Sequence, residues 1–517
     1  MNKFYTLLLG FLFIGFNTTL AQQQVNCGMT HTDMEKLAKR VVQHKKAIKN
    51  GEVPRYQETI FVPIKFHIMA NNGGIGGVKE SILLQTLCRI NEDFADQEIQ
   101  FFLEGDFNYI NNTSAFENPS TPAGELFLAN AKSQNFGRMN IFVCRNAGDI
   151  ANVGTVAGYY RPSSDWIVVR KANVGYFEGT LTHEIGHFLS LMHVFYGWDA
   201  NPYNPALHSN PAPTFSPNGP VTENNDRTGS CANCETAGDM LCDTWPDYLL
   251  SQFYSNGNCT YTGDIKDPCG VLVEPAKENV MSYFFGCEEV FTDQQKGLMA
   301  ADLNMRFNNA TINKNLAPDN KNQIDSSEPI VLLEPLNEED LAHHSVVFLG
   351  WEPILNATQY IVEIDEFDNF NVNPQKVISS YPGASFDNLK PNDRYFWRVY
   401  PFNQYSTCYG WSQIYTFNTG EGTTAIEGIE EIESWQINPN PLRSDQRLTI
   451  QLNAAETMDT QLSIMDISGK TLKQFSSSIQ SGQNQIQIDT QDLIEGIYII
   501  SLQTDNGVLT KKLIVSN

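Results

Sequence analysis

The chain reads as a multidomain protein: an enzyme-sized α/β (α+β) region followed by two all-β sandwich domains. Three observations predict this. Its 517 residues exceed what one core serves, since domains usually run to ~100–200 residues. Strand-like and helix-like runs alternate as far as about residue 315, and only strand signals follow. Hydrophobic residues at 41% and charged residues at 18% are the proportions of globular domains, not of a disordered tail. A formal net charge of -25 argues against nucleic acid or an anionic membrane as partner, because both repel an acidic surface.

Residues 1–21 have the layout of a signal peptide. Lys3 supplies the positive start, Phe4 to Phe16 is apolar, and Asn17-Thr18-Thr19-Leu20-Ala21 ends in small residues suited to cleavage. That run is shorter than the ~20 residues of a spanning helix, and no later segment approaches that length. No transmembrane segment is expected. Residues 22–51 are polar and helical in pattern, too few to form a core.

Residues 52–315 carry the mixed region. TIFVPIKFHIM, EIQFFLE, RMNIFVC and DWIVVRK read as strands; KESILLQTLCRINEDF, GTLTHEIGHFLSLMH and TDQQKGLMAADLNMRF read as helices. Between 194 and 275 the chain is rich in Asn, Pro, Gly and Cys with little periodicity, and an irregular stretch of that length is usually functional. Ten cysteines in an exported chain predict disulfides, and six fall between Cys231 and Cys287. Cys88 and Cys144, in a helical and a strand pattern, read as small buried hydrophobes. Residues 308–328 read as a linker. Residues 329–419 alternate apolar and polar, with Trp351, Tyr360, Trp397 and Trp411 at strand positions. After a second linker, 435–517 is again all-β with Gly469 and Gly496 as turn residues.

The chemistry is concentrated in Thr182 to His193. On a helix, His183 and His187 lie one turn apart and share a face, so both imidazoles reach one metal. Glu184 stands beside them, able to contact a water without ligating the ion. His193 cannot share that face if the helix continues, so the chain must turn after about residue 189. Three neutral imidazoles leave a fourth tetrahedral position open, as catalytic zinc requires and structural zinc does not. The pattern predicts one Zn2+, with Glu184 as general base in hydrolysis of a peptide bond.

On these residues the segment resembles the extended motif of metzincin metallopeptidases, and its surroundings are similar to the pappalysin branch. Asn279-Val280-Met281-Ser282-Tyr283 resembles the family's Met-turn; the resemblance implies Met281 as floor of the metal site and Tyr283 as stabiliser of the tetrahedral intermediate. Ile90-Asn91-Glu92-Asp93-Phe94 and Phe291-Thr292 are further similarities. Where the family has Gly, this chain has Ser190; a left-handed Ser costs ~1–2 kcal/mol, less if its hydroxyl bonds locally. A strained but intact turn is expected.

The resemblance also implies a short propeptide over 22–51, in which Cys27 would be a latent zinc ligand that blocks the open position; a free thiol in a mobile tail is the alternative. Gly238 to Thr244 resembles a calcium-holding loop, implying Ca2+ on Asp239, the Cys242 carbonyl and Thr244, although the string also fits an Asx-rich turn. Family-like disulfides would pair Cys234 with Cys269 and Cys259 with Cys287, leaving Cys231 and Cys242 for each other. A preference for cleavage before basic residues is not expected, because Gly286 stands where such enzymes carry an acidic residue, with Glu288 and Glu289 only beyond Cys287.

Leu389 to Tyr395, with Trp351 and Trp397, resembles the tyrosine corner of a fibronectin type III domain. The last segment is similar to the type IX secretion sorting domain, on Asn438-Pro439-Asn440-Pro441, Met465 to Lys470, Gly496 to Ile499 and Lys511 to Ile514. This implies the type IX machinery as partner and release to, or retention on, the outer surface of a Gram-negative bacterium. Two rivals to the endopeptidase are a zinc-containing surface adhesin and a hydrolase of small non-peptide amides.

Overall fold

The computed structural model describes residues 26–53, 58–150, 154–255, 260–284, 287, 290–371, 374–422, 432–440, 442–443, 447–466, 471–494, 496–504 and 507–516. The expected signal peptide, Cys259, Gly286, Glu288, Glu289 and Gly469 lie outside them. Of the described residues, one compact unit holds those up to 78, with 90–99 and 106–316; a second holds 79–89, 100–105 and those from 317 onward.

The first part of the chain runs β1 (Asn26–Cys27), α1 (His31–Lys49), β2 (Ile60–Ala70), α2 (Glu80–Asp93), β3 (Ile99–Leu103), β4 (Asn108–Asn111), α3 (Thr113–Glu117), α4 (Pro122–Gln134), β5 (Met139–Cys144), β6 (Asp149–Ile150), β7 (Gly154–Arg161), β8 (Trp166–Arg170), α5 (Thr180–Phe188), β9 (Tyr254–Ser255), β10 (Thr260–Tyr261) and α6 (Asp293–Asn308). The sheet of the first unit has the order β1-β7-β8-β5-β2. β2, β5 and β8 are parallel to one another, as their near-continuous apolar runs require of strands covered on both faces. β7 turns antiparallel to β8, and β1 then adds parallel to β7. Helix α1 starts at a capping box in which Thr30 and Asp33 exchange bonds, and it buries Met34, Leu37, Val41 and His44. The segment expected to be too small for a core thus lends one face to the core of the whole unit.

The described residues from 190 to 290 have little regular structure, and among them two disulfides are seen to staple the chain, Cys231–Cys269 and Cys234–Cys242. These pairings correct the expected Cys234–Cys269 and Cys231–Cys242. The backbone doubles back through positive φ at Gly238 and Met240, which brings the Cα atoms of Cys234 and Cys242 to 5.0 Å. Cys287 is also disulfide-bonded. Cys144 is a buried free thiol as expected. Cys88 is not: it pairs with Cys408, 320 positions away, because the fold brings their Cα atoms to 5.1 Å.

In the second unit the first sandwich consists of β11 (Leu332–Glu334), β12 (Glu339–Asp340), β13 (Val346–Trp351), β14 (Gln359–Asp365), β15 (Gln375–Ser379), β16 (Gly383–Asp387), β17 (Arg394–Phe402) and β18 (Tyr415–Asn418). A β11-β13-β16 sheet faces a β12-β18-β17-β14-β15 sheet over Trp351, Tyr360, Trp397 and Phe417. The Tyr395 hydroxyl accepts from the Lys390 amide at 2.9 Å, which is the expected tyrosine corner. Trp411 departs from expectation. It lies outside the strands, between β17 and β18, where the Arg398 guanidinium stacks on its ring.

The last sandwich has β19 (Ile432–Asn438), β20 (Leu442–Arg443), β21 (Leu448–Ala454), β22 (Met458–Asp466), β23 (Thr471–Ile479), β24 (Gly482–Ile488), β25 (Gly496–Thr504) and β26 (Gly507–Ser516). Sheets β19-β21-β24 and β20-β26-β25-β22-β23 enclose an aliphatic core around Leu448, Ile450, Ile464, Ile500 and Leu513.

Candidate metal centre

The site is built on α5. Thr182 near its start donates to the Asp93 carboxylate at 2.5 Å, and residues 181 to 188 are all buried. The helix stops where the sequence required it to. Leu189 is its C-cap and Ser190 takes φ 70°. The Ser190 amide bonds the His187 carbonyl at 3.0 Å and the Leu191 amide bonds the Gly186 carbonyl at 2.9 Å, the Schellman closure of a helix.

That turn brings His193 round. The Nε2 atoms of His183, His187 and His193 lie 3.1–3.2 Å from one another. Each Nδ1 has its own partner: His183 the Val280 carbonyl at 2.8 Å, His187 the Leu191 carbonyl at 2.8 Å, His193 the Asp199 carboxylate at 2.6 Å. With Nδ1 donating, each Nε2 presents a lone pair to the common centre. Burial lowers the pKa of all three rings, that of His183 to about 4, so they are held neutral, as metal ligands must be. Tetrahedral zinc at ~2.0–2.1 Å from each nitrogen sets ligands ~3.3 Å apart, so the donor set fits the ion.

Glu184 is buried beside the rings, and its Oε1 has no hydrogen-bond partner among the described residues. Burial raises its pKa to about 8. Gly158 of β7 lets it lie close, since a Cβ there would come 3.1 Å from Glu184 Cγ. Met281 is buried against Gly186 of α5, where a side chain would collide with its sulfur. The Tyr283 hydroxyl is 3.4 Å from His193 Nε2 and accepts from the Cys27 amide at 2.9 Å. The Cys27 thiol is 3.6 Å from Glu184, and its sulfur joins the three imidazoles in a cluster whose ligand atoms lie within 4.8 Å of one another. Burial and the Glu184 carboxylate push its pKa well up.

The structure thus brings together seven residues singled out from the sequence: Cys27, His183, Glu184, His187, His193, Met281 and Tyr283. Three others form a separate loop. Asp239 accepts from the Leu241 amide at 3.0 Å and from the Thr244 hydroxyl at 2.9 Å, while its Oδ2 is buried without a partner among the described residues. Cys242 is in a disulfide. Glu223 beside them pairs with Arg227 at 2.7 Å. Sequence reasoning missed Asp199, which follows the motif by six residues and carries no signal of its own, and it missed Asp302 and Arg306 of α6, whose roles exist only in the folded chain.

Comparison with known proteins follows the same division. Residues 436–516 match the secretion system C-terminal sorting domain. Over 314 residues the chain is 24% identical to an extracellular metalloprotease of Neurospora crassa, covering 56% of this chain and 90% of that protein. It is 23% identical, with the same coverage, to an extracellular metalloprotease of Sordaria macrospora. Among solved structures, a promirolysin variant from Tannerella forsythia is similar, with a TM-score of 0.35, 19% identity, and coverage of 55% of this chain and 96% of that one. The chain is a relative of extracellular metalloproteases and carries a sorting domain for export, to the medium or the outer cell surface. No helix among the described residues is long and apolar enough to cross a membrane.

Proposed function

We propose that this is a secreted zinc-dependent endopeptidase of the pappalysin type that cleaves extracellular proteins. The observation carrying this reading is the convergence of three neutral imidazoles beside a buried carboxylate oxygen without a hydrogen-bond partner among the described residues. His183, His187 and His193 would hold the ion, which when bound supplies Lewis acidity to a scissile carbonyl and to water. Glu184 takes the proton of the attacking water and returns it to the leaving amine. Tyr283 donates its hydroxyl to the oxygen that gains charge, and Met281 keeps the floor of the site apolar.

The chain order supports a proenzyme: residues 22–51 as propeptide, 52–315 as peptidase, 329–419 as a fibronectin-like spacer, 435–517 as the address for type IX export. Cys27 would keep the proenzyme latent by placing its sulfur among the histidines and its amide on the Tyr283 hydroxyl. Cys27→Ala should then be active before processing; unchanged latency would reject the switch. At Asp239, Cys242 and Thr244, the Asp239 oxygen that lacks a partner among the described residues supports a cation such as Ca2+. The central test is casein cleavage by the processed protein. Activity should vanish with a chelator and return with zinc. It should drop at least about a hundredfold in Glu184→Ala while zinc stays bound. Zinc binding without proteolysis would favour an adhesin, and turnover of small amides alone would favour the other hydrolase.

A further inference from the structure

We infer that Asp302 is a positioning residue of the metal centre: through the Ser190 hydroxyl it holds the left-handed turn that delivers His193 to His183 and His187. This builds on the zinc reading above. Helix geometry alone puts two of the three imidazoles side by side, since His183 and His187 share one face of α5. The third is carried to them by the turn at residues 189 to 191, and Asp199 then orients its ring. Ser190 is fully buried at φ 70°, a conformation that carries a steric penalty for any residue with a Cβ.

Helix α6 grips that turn from both sides. Ser190 Oγ donates to Asp302 Oδ1 at 2.6 Å. Arg306 bonds the other Asp302 oxygen through Nε, and its Nη2 donates to the carbonyl of Phe188, the last helical residue, at 2.6 Å. Arg306 is itself held by Asp165 at 2.8 Å. His44 of α1 contacts the same Asp302 oxygen as Ser190, at 3.2 Å. All of Ser190, Asp302, Arg306 and His44 are buried. A relaxed turn would be felt twice at the centre. It carries His193, and its Leu191 carbonyl is the partner of His187 Nδ1. The hydroxyl of Ser190 therefore does by bonding what an unsubstituted backbone would do by freedom.

The test uses the full chain loaded with zinc, following transfer of the ion to a chromogenic chelator, and the visible spectrum of the cobalt(II)-substituted protein. Ser190→Ala keeps the Cβ and loses the bond, so it should release zinc about tenfold faster, with shifted cobalt bands. Ser190→Gly takes the left-handed conformation unaided and should stay within about twofold of wild type. Asp302→Ala should speed release about tenfold in the wild-type background and little in the Ser190→Gly background. Should Asp302→Ala fail to fold, the Ala and Gly variants at 190 decide alone. Wild-type zinc retention in Ser190→Ala, or equal loss from Ala and Gly, would overturn the inference and leave the zinc reading standing. A wild-type protein that takes up no zinc would overturn that reading and this inference with it.

Discussion

Asp302 and Asp239 are both fully buried aspartates, yet they titrate in opposite directions. At Asp302, burial pushes the pKa up, but Arg306 together with bonds from His44 and Ser190 outweighs it and holds the carboxyl at about 2. At Asp239, burial prevails. The Leu241 amide and Thr244 hydroxyl offset it only in part, nearby Asp243 adds repulsion, and the carboxyl is pushed up to about 7. The local cation, Arg227, is committed to Glu223 and to the Thr244 carbonyl. The two sites show that burial alone does not set the charge state of a buried acid; a dedicated counter-charge does. One carboxylate is complete within the fold and serves as an anchor. The other stores a demand for a proton or a cation.

Removing the counter-charge should erase the difference. Arg306→Met leaves Asp302 buried and uncompensated, and is expected to cost about 3–5 kcal/mol in urea unfolding. A loss below about 1 kcal/mol would mean that Arg306 is not what separates the two sites.

The pH dependence of the metal-free protein should divide the same way. Asp302 has a folded value below the unfolded ~3.9, so its contribution is present above about pH 4 and is lost as pH falls toward 2, about 2.6 kcal/mol in all. Asp239 has a raised folded value, so its carboxyl favours folding below about pH 4 and loses that advantage as pH rises through 7. Asp239→Asn should therefore stabilise the protein at pH 8 and change it little at pH 4. Millimolar calcium should narrow the gap at pH 8 by stabilising the wild type. Equal effects of the substitution at both pH values would contradict this account.

The smallest effect is expected at a third aspartate. Asp199 orients His193 through Nδ1 at 2.6 Å, where the other two rings use backbone carbonyls. Asp199→Asn should weaken zinc binding by about tenfold in chelator competition, with the other two ligands undisturbed. An unchanged affinity would place the orienting force in the turn alone.

Much of the site was legible because its spacing is local. The i, i+4 histidines, the adjacent glutamate and the need for a break after residue 189 follow from helical geometry, and α5 ends at Phe188 accordingly. The strands β2, β3, β5 and β8 were legible from apolar runs. β7 was not: Gly154, Gly158 and two tyrosines blur its pattern, and it is a strand because β8 and β1 pair with it. Cys88 read as core because its helix is apolar, and nothing local points to Cys408. The nested pairing, with Cys234–Cys242 inside Cys231–Cys269, depends on a turn at Gly238 and Met240 that periodicity does not register.

The sequence by itself determined the kinds of groups present and their short-range order: a helix with metal-ligand spacing, an apolar sheet, two β modules and an export address. Those are consequences of backbone geometry over a few residues, which composition and spacing express directly. Only the tertiary structure decided which buried charge would be satisfied and which would be left waiting. Arg306 meets Asp302 and Asp165, His44 meets Asp302, and Asp199 meets His193 by packing of distant elements. Coulomb attraction and desolvation act on distances in space, and a residue's neighbours in space are set by the whole fold.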